Sequence, residues 1–167
     1  MLLSVVCKLL IMAKVLLVCI SIHHGNTLKV AEGMTEAVDA EILKPFDVDQ
    51  DLIRRYDIIG FGSGIYYGRH HRSIFSLLDK IELKGKPVFI FYTSGAPKIP
   101  ILNGCDEALK RKLRKKNAKI VGVFGCRGFS NPGPLKLVGG ICKGRPSEED
   151  LEKARKFVME VVSSTIR

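Results

Sequence analysis

The sequence predicts a parallel α/β domain, and three observations support this prediction. Short apolar runs alternate along the chain with segments of helical periodicity, which is typical of a parallel sheet with right-handed crossovers. The runs contain Val, Ile, Leu and Phe without polar alternation, as strands covered on both faces do. The length of 167 residues, with 46% hydrophobic and 26% charged residues, suits one packed domain and excludes disordered, collagen-like and disulfide-scaffold classes.

Five strands are predicted from these runs. In chain order they are Val15–Ser21, Ala40–Lys44, Asp57–Gly62, Pro87–Tyr92 and Lys119–Gly125. The second run is the weakest, so we expect it nearer an edge of the sheet than the other four.

Apolar stripes at i, i+3, i+4 spacing predict the helices between the strands. The stripes are Ala31, Met34 and Val38; Ile74, Leu77, Leu78 and Ile81; Leu109 and Leu113; and Leu151, Ala154, Phe157, Val158 and Val161. The last helix has the clearest start, because Pro146 ends the preceding loop and Ser147 can cap the helix. The acidic residues 148–150 then place negative charge at the positive end of the helix dipole.

Residues 1–13 are interpreted as an N-terminal extension, with Met12 the preferred first residue, and residues 14–167 as the domain. Lys8 and Lys14 interrupt the apolar N-terminal run, so it falls short of the roughly 20 apolar residues of a membrane span. An amphipathic tail that touches a membrane is the less favoured interpretation. The five cysteines are scattered and odd in number, which favours a reducing compartment and predicts a cytoplasmic location without membrane attachment.

The net charge of +10 is unevenly distributed. Residues 1–60 carry 6 basic and 8 acidic side chains, residues 61–167 carry 21 and 9, and Lys110 to Lys119 hold seven bases and no acid. A basic run on a predicted helix is by default a solvated face. The sharper hypothesis is a docking face for an acidic redox partner. Nucleic-acid binding is disfavoured, because the run lacks aromatic interleaving and no recognised binding motif accompanies it.

Ligands of open α/β sheets bind beyond the carboxyl ends of the strands. The first loop there, Ser21 to Thr27, has the properties of a monophosphate site, since a helix start offers free N–H groups and Gly25 allows close backbone approach. No acidic residue lies between Ser21 and Glu32. An ordinary capped turn explains this loop alone equally well. The glycine-rich stretch from Cys126 to Arg145 is long for a connection, so we expect a functional loop there.

Three of these loops together resemble those of the flavodoxin family. The first ends in Gly25-Asn26-Thr27 at a helix start, the loop after the third strand carries an aromatic pair, and the loop after the fourth is Thr93-Ser94-Gly95. The resemblance covers about Lys14 to Ile166. It implies a flavodoxin-like three-layer sandwich, in which a five-stranded parallel sheet of order 2-1-3-4-5 has helices on both faces.

The resemblance also implies a non-covalent FMN site. The residues it places around the ribityl phosphate are Ser21, His23, His24, Gly25, Asn26 and Thr27. Those it places beside the ring are Gly64, Ile65, Tyr66, Tyr67, Gly68, Thr93, Ser94 and Gly95, with one of the two tyrosines stacked on the flavin. The chain departs from the family pattern in having His24 where a hydroxyl residue is usual, in lacking Trp, and in being basic.

The preferred hypothesis is an FMN-binding electron carrier that serves redox partner proteins. The alternative is an FMN-dependent reductase or oxidase acting on a quinone-type acceptor, because the stretch from Gly64 to His71 is similar to a loop of the menaquinone-dependent protoporphyrinogen oxidases of the same superfamily. A non-redox module that binds a polyanion is the third hypothesis. His70 and His71, which lie beside two arginines, are expected to be solvated loop residues rather than metal ligands.

Overall fold

A parallel sheet forms the centre of the protein in this computed structural model, which describes residues 13–95, 104–131 and 140–166. The strands are β1 (Val15–Ile20), β2 (Ala40–Leu43), β3 (Ile58–Tyr66), β4 (Arg69–His70), β5 (Pro87–Ser94) and β6 (Lys119–Arg127). The five long strands run parallel in the order β2-β1-β3-β5-β6, while the two-residue β4 pairs antiparallel with the end of β3. The predicted order 2-1-3-4-5 is therefore confirmed for the long strands.

Helices cover both faces of this sheet. They are α1 (Asn26–Thr35), α2 (Gln50–Arg54), α3 (Arg72–Lys80), α4 (Glu107–Lys115) and α5 (Glu148–Thr165), and a 3-10 turn spans Pro45–Asp47. One core cluster joins α1 and α5 to one face, and a second joins α2, α3 and α4 to the other. The three-layer sandwich is thus confirmed, and it explains why the strand runs lack polar alternation.

Side chains of β1 show how the two cores divide. Val15, Leu17 and Cys19 belong to the α1–α5 core, and Leu16 and Val18 belong to the opposite one. Successive side chains of a strand point to opposite faces, so both faces of β1 are apolar. Burial of each such side chain stabilises the fold by roughly 1.5–3 kcal/mol.

Three strands continue past their predicted ends. β3 runs to Tyr66, β5 to Ser94 and β6 to Arg127, so parts of three predicted loops are strand. In β3 and β5 the sequence hid these extensions because Ser, Gly and Thr follow the apolar run, and glycine is depleted in strands. In β6 the added residues are Cys126 and Arg127. Gly62 is required in β3, since a Cβ there would lie 2.1 Å from the ring of Phe91.

A β-hairpin replaces the loop predicted after β3. Ile65 and Tyr66 pair with His70 and Arg69, and Tyr67 and Gly68 form the turn with φ values of 50° and 75°. Two consecutive positive φ values are the requirement of the type I′ turn, whose twist matches that of the flanking strands. The pairing of this hairpin, between residues three and five positions apart, was not visible in the apolar pattern.

The predicted stripe of α4 and the predicted cap of α5 are both present. Leu109 and Leu113 of α4 are buried, and Ser147 caps α5. Ala13, predicted to lie in the extension, is buried in the core, so the packing reaches back to that residue. Residues 1–12, with Met12 as the proposed start, lie outside the described residues. Within the described residues, no helix has both the length and the apolarity that a membrane crossing requires.

Candidate functional site

The three predicted ligand loops meet at one edge of the sheet, because parallel strands place their carboxyl ends together. The hydroxyls of Thr27 and Thr93 lie 2.8 Å apart, which joins the first loop to the end of β5. The backbone N–H of Ile22 donates to the Tyr66 hydroxyl at 3.3 Å, which joins the first loop to the hairpin. The residues predicted from three separate segments therefore form one cluster.

The start of α1 is left open by its own chain. Its N-cap is Gly25, with a φ of 66°, and no side chain caps the helix. The first intrahelical bond runs from Lys29 N to Gly25 O at 2.9 Å, so the preceding N–H groups of the first turn have no acceptor within the part of the chain that the structure describes. The first turn contains no acidic residue. Free N–H groups and the positive end of the dipole together make an anion site.

His24 and Asn26 point from this loop to the segment that follows β6. His24 Nε2 lies 2.8 Å from Asn131 Oδ1, and its ring contacts that of Phe129 with centroids 4.6 Å apart. Asn26 Nδ2 donates to the Phe129 carbonyl at 2.7 Å. The phosphate loop predicted from the sequence is therefore held in place by residues 129–131, which were not among the predicted site residues.

The same segment covers the end of β5. A Cβ at Gly95 would lie 2.4 Å from the Cβ of Ser130, so only glycine allows this approach. Ser130 in turn pairs with Ile141 through two backbone hydrogen bonds of 3.1 and 2.8 Å. The guanidinium of Arg127 reaches both the Gly95 carbonyl, at 3.4 Å, and the Cys142 sulfur, at 2.9 Å. The length of the Cys126–Arg145 stretch predicted a role for it, and the structure places its described parts against two of the site loops.

The two tyrosines of the hairpin have different surroundings. The Tyr66 ring meets those of His23 and His71 edge-on, with centroids 5.8 and 5.9 Å away, and its hydroxyl lies over Gly64. Tyr67 occupies the turn and is fully exposed. The expectation that the pair divides into one packed and one exposed ring matches this arrangement, and stacking of either ring on a flavin stays a prediction.

His70 was predicted to be solvated, and this prediction is wrong. Its side chain lies in β4, the second strand of the hairpin, and is buried, with 4% of the residue exposed. His70 Nδ1 lies 2.9 Å from the Ser63 hydroxyl, which also accepts from His71 N, while Nε2 has no partner within the described residues. Burial lowers the pKa of His70 to about 4, against a smaller opposing effect of the Asp106 charge.

His71, which follows in the sequence, closes the start of α3. Its Nδ1 accepts from Ser73 N at 3.3 Å. Partial burial, and then the neighbouring charge of Arg72, lower the pKa of His71, which favours the neutral ring that can accept this bond.

Two cavities of about 310 Å³ each flank the cluster. One lies at the edge of the sheet beside Tyr92, Ser94 and Arg127. The other lies on the opposite side of the hairpin, between α3 and residues 45–48, and His71 forms part of its wall.

The chain matches known proteins over most of its length. The family model of the flavodoxin domain matches residues 17–128. The chain belongs to the flavodoxin-domain family. An uncharacterized protein of Methanocaldococcus jannaschii is 42% identical to this flavodoxin-domain protein over 151 residues, which are 90% of this chain and 99% of the relative.

Solved structures agree with the fold. A flavodoxin from the domain Archaea superposes with a TM-score of 0.67 at 17% identity, covering 92% of this chain and 99% of that one. Oxidised Flavodoxin 1 from Bacillus cereus superposes with a TM-score of 0.66 at 19% identity, covering 90% and 97%. The predicted family is confirmed, while the local similarity to protoporphyrinogen oxidases stays a prediction.

Proposed function

We propose that this flavodoxin-domain protein binds FMN non-covalently and transfers electrons between redox partners. The observation that carries the proposal is the open start of α1, where N–H groups without acceptors in the described chain face the meeting point of three loops. Membership of the flavodoxin-domain family supports the choice of FMN among phosphate-bearing ligands.

The residues present fit a phosphate. The left-handed backbone of His24 and Gly25 leads into the helix start, and a Cβ at Gly25 would meet no atom within 4 Å, so the backbone is accessible. The exposed histidines His23 and His24 add N–H donors without adding negative charge. An anion at a helix start is stabilised by typically 0.3–1 kcal/mol, and by more where the geometry is partly buried.

The hairpin and the end of β5 fit the ring of the cofactor. Tyr66 and Tyr67 supply aromatic surface on one side, and Thr93 to Gly95 supply backbone groups on the other. When bound, FMN supplies the electron-transfer chemistry, and the protein supplies position and surroundings. Ser130 and Phe129 hold the loops on which those positions depend.

A titration of the full chain with FMN tests the proposal. We expect a yellow complex, with FMN fluorescence changed on binding at a stoichiometry of one. Protein that stays colourless after addition of FMN would contradict it.

The phosphate position is tested by Asn26→Asp against Asn26→Ala. Both variants lose the Nδ2 donor to Phe129, but only the aspartate places a negative charge at the helix start. We expect the aspartate to bind FMN about tenfold more weakly than the alanine variant, since about 1.4 kcal/mol corresponds to a factor of ten. Equal affinities of the two variants would overturn the assignment of the phosphate to this loop.

Two earlier hypotheses remain as predictions. Steady turnover of NAD(P)H with a quinone, without a partner protein, would favour the FMN-dependent reductase over the carrier.

An acidic partner at Lys110–Lys119 would meet a surface whose charge is partly neutralised, because Lys110 and Lys116 form ion pairs with Asp106 and Glu82. Cytoplasmic location likewise stays a prediction.

A further inference from the structure

A groove runs along the outer side of α3, separate from the loops assigned to FMN. Its volume is about 310 Å³, at the lower end of the range for small-molecule sites. The wall opposite the helix is formed by Pro45, Phe46 and Val48, in the segment that connects β2 to α2. His71 lines the groove and its ring meets that of Tyr66 with centroids 5.9 Å apart, whereas none of the residues assigned to FMN lines the groove.

The centre of the groove is apolar. Pro45, Val48 and Leu77 are buried and line it together with Phe46. Phe46 is 72% exposed although it is a large aromatic residue, so its ring borders the groove with most of its surface in water. Contact with an apolar ligand would remove this surface from water, which favours binding.

The two charged residues that line the groove are both basic. Arg72 at the start of α3 and Lys80 at its end both line it, and neither forms an ion pair within the described residues. Their separation of eight positions corresponds to about 12 Å along the helix. None of the lining residues is acidic, and Asp47, which belongs to the same segment, does not line the groove.

We infer that this groove binds a small hydrophobic anion, an apolar ring or chain that carries a carboxylate or a sulfonate. The apolar body lies against Phe46 and Leu77, and the anionic group pairs with Arg72 or Lys80. The two positive charges would repel a cation. A neutral apolar molecule would form no ion pair with either base. The inference does not depend on FMN, because no residue of the phosphate loop lines the groove.

Equilibrium dialysis of the full chain, saturated with FMN where it binds FMN, tests this inference with 2-naphthoate as the probe. We expect saturable binding at roughly millimolar concentration or below, and at least fivefold weaker binding of the neutral amide, 2-naphthamide. Absence of binding at these concentrations, or equal binding of acid and amide, would overturn the inference.

Variants locate the site. Arg72→Gln and Lys80→Gln each remove one positive charge from the groove, and we expect at least one of them to weaken 2-naphthoate binding about fivefold or more. The matched controls are Arg111→Gln on α4 and Lys84→Gln after α3, which change exposed bases that do not line the groove. Equal affinities in all four variants would place the probe elsewhere and contradict the inference. FMN affinity should be the same in all four, and circular dichroism checks their folding.

Discussion

Helices α1 and α5 lie on the same face of the sheet, but side chains cap the start of α5 and leave the start of α1 uncapped. At α5, Ser147 and Asp150 form a reciprocal capping box, and Arg145 donates to Asp150 at 2.7 Å. Three acidic residues occupy the first turn. At α1, the cap is Gly25, and the first turn has neither a capping side chain nor an acid.

The two helices are neighbours, so the difference does not come from their location. Gly33 of α1 packs against Leu151 of α5, and Lys29 Nζ donates to the Pro146 carbonyl at 3.2 Å. A side-chain N-cap typically adds about 1 kcal/mol to stability. The chain takes this stabilisation at α5 and forgoes it at α1, where water or an external anion is left to satisfy the N–H groups. The open start beside a closed one supports the proposed phosphate position.

Histidines cap the start of α3. As the pH falls, we expect their contribution to stability to be lost before that of the capping box at α5. His71 N donates to the Ser63 hydroxyl, which also contacts the buried His70. Because the pKa of His70 is about 4 in the folded protein and about 6.5 when unfolded, the unfolded chain binds the extra proton between these values. The stability that His70 contributes is complete above pH 6.5 and is lost as the pH falls to about 4. We expect a loss of about 3 kcal/mol in the free energy of unfolding, measured by urea denaturation across this range.

The variant His70→Gln is the control for this titration. Glutamine retains groups that can bond to the Ser63 hydroxyl but does not titrate, so the decline between pH 6.5 and 4 should become much shallower. Exposed His23 and His24 are unchanged in both proteins. The same decline in wild type and variant would show that another group is responsible.

The carboxylate-closed start of α5 should resist acid longer. Burial by itself would raise the pKa of Asp150, but hydrogen bonds from Arg145 and Ser147 outweigh it and hold the pKa below its usual range. The contribution of Asp150 to the free energy of unfolding is therefore present above about pH 4, and it is lost as the pH falls through the lowered pKa. At pH 7 we expect Asp150→Asn to lower the free energy of unfolding by about 2 kcal/mol, since it weakens both the capping box and the charged bond to Arg145.

Glu149→Gln provides the comparison at the same helix start. Glu149 pairs with Lys153 on the exposed surface, so its loss should change the free energy of unfolding far less than Asp150→Asn does. Glu149→Gln should retain the FMN affinity of the wild type, because this exposed carboxylate lines neither cavity beside the site loops. A clear loss of FMN affinity in Asp150→Asn would mean that the starts of α1 and α5 are not independent.

The closed start of α5 could be predicted from sequence, and the open start of α1 only in part. A capping box uses residues three positions apart, and Ser147 followed by three acids is visible in the chain itself. The order of the long strands followed from apolar runs and family resemblance. The absence of an acid near Gly25 was also visible, but a plain capped turn explained it equally well until the unpaired N–H groups were located.

The residues that hold the site depend on contacts distant in sequence. Asn26 and Phe129 are bonded across 103 positions, and no local pattern encodes that bond. The burial of His70 depends on the antiparallel pairing of β4 with β3, which glycines and a left-handed turn produce without any apolar alternation. Local periodicity reports which face of an element is buried, but not which loop lies above it.

The smallest expected effect comes from converting the open start into a closed one. Leu28 occupies the third position of α1 and is 39% exposed, so Leu28→Glu places a carboxylate where a capping box would have it. We expect the free energy of unfolding without FMN to rise by a few tenths of a kcal/mol, because the acid lies at the positive end of the dipole. FMN affinity should fall about fivefold, since the same charge repels the phosphate. Leu28→Gln controls for the lost apolar contact, and urea denaturation and FMN titration are measured on both variants. A rise in the free energy of unfolding together with a fall in FMN affinity would distinguish a phosphate position from a helix start that merely lacks a cap. If Leu28→Glu is more stable than Leu28→Gln but binds FMN equally well, the open start of α1 is not where the phosphate binds.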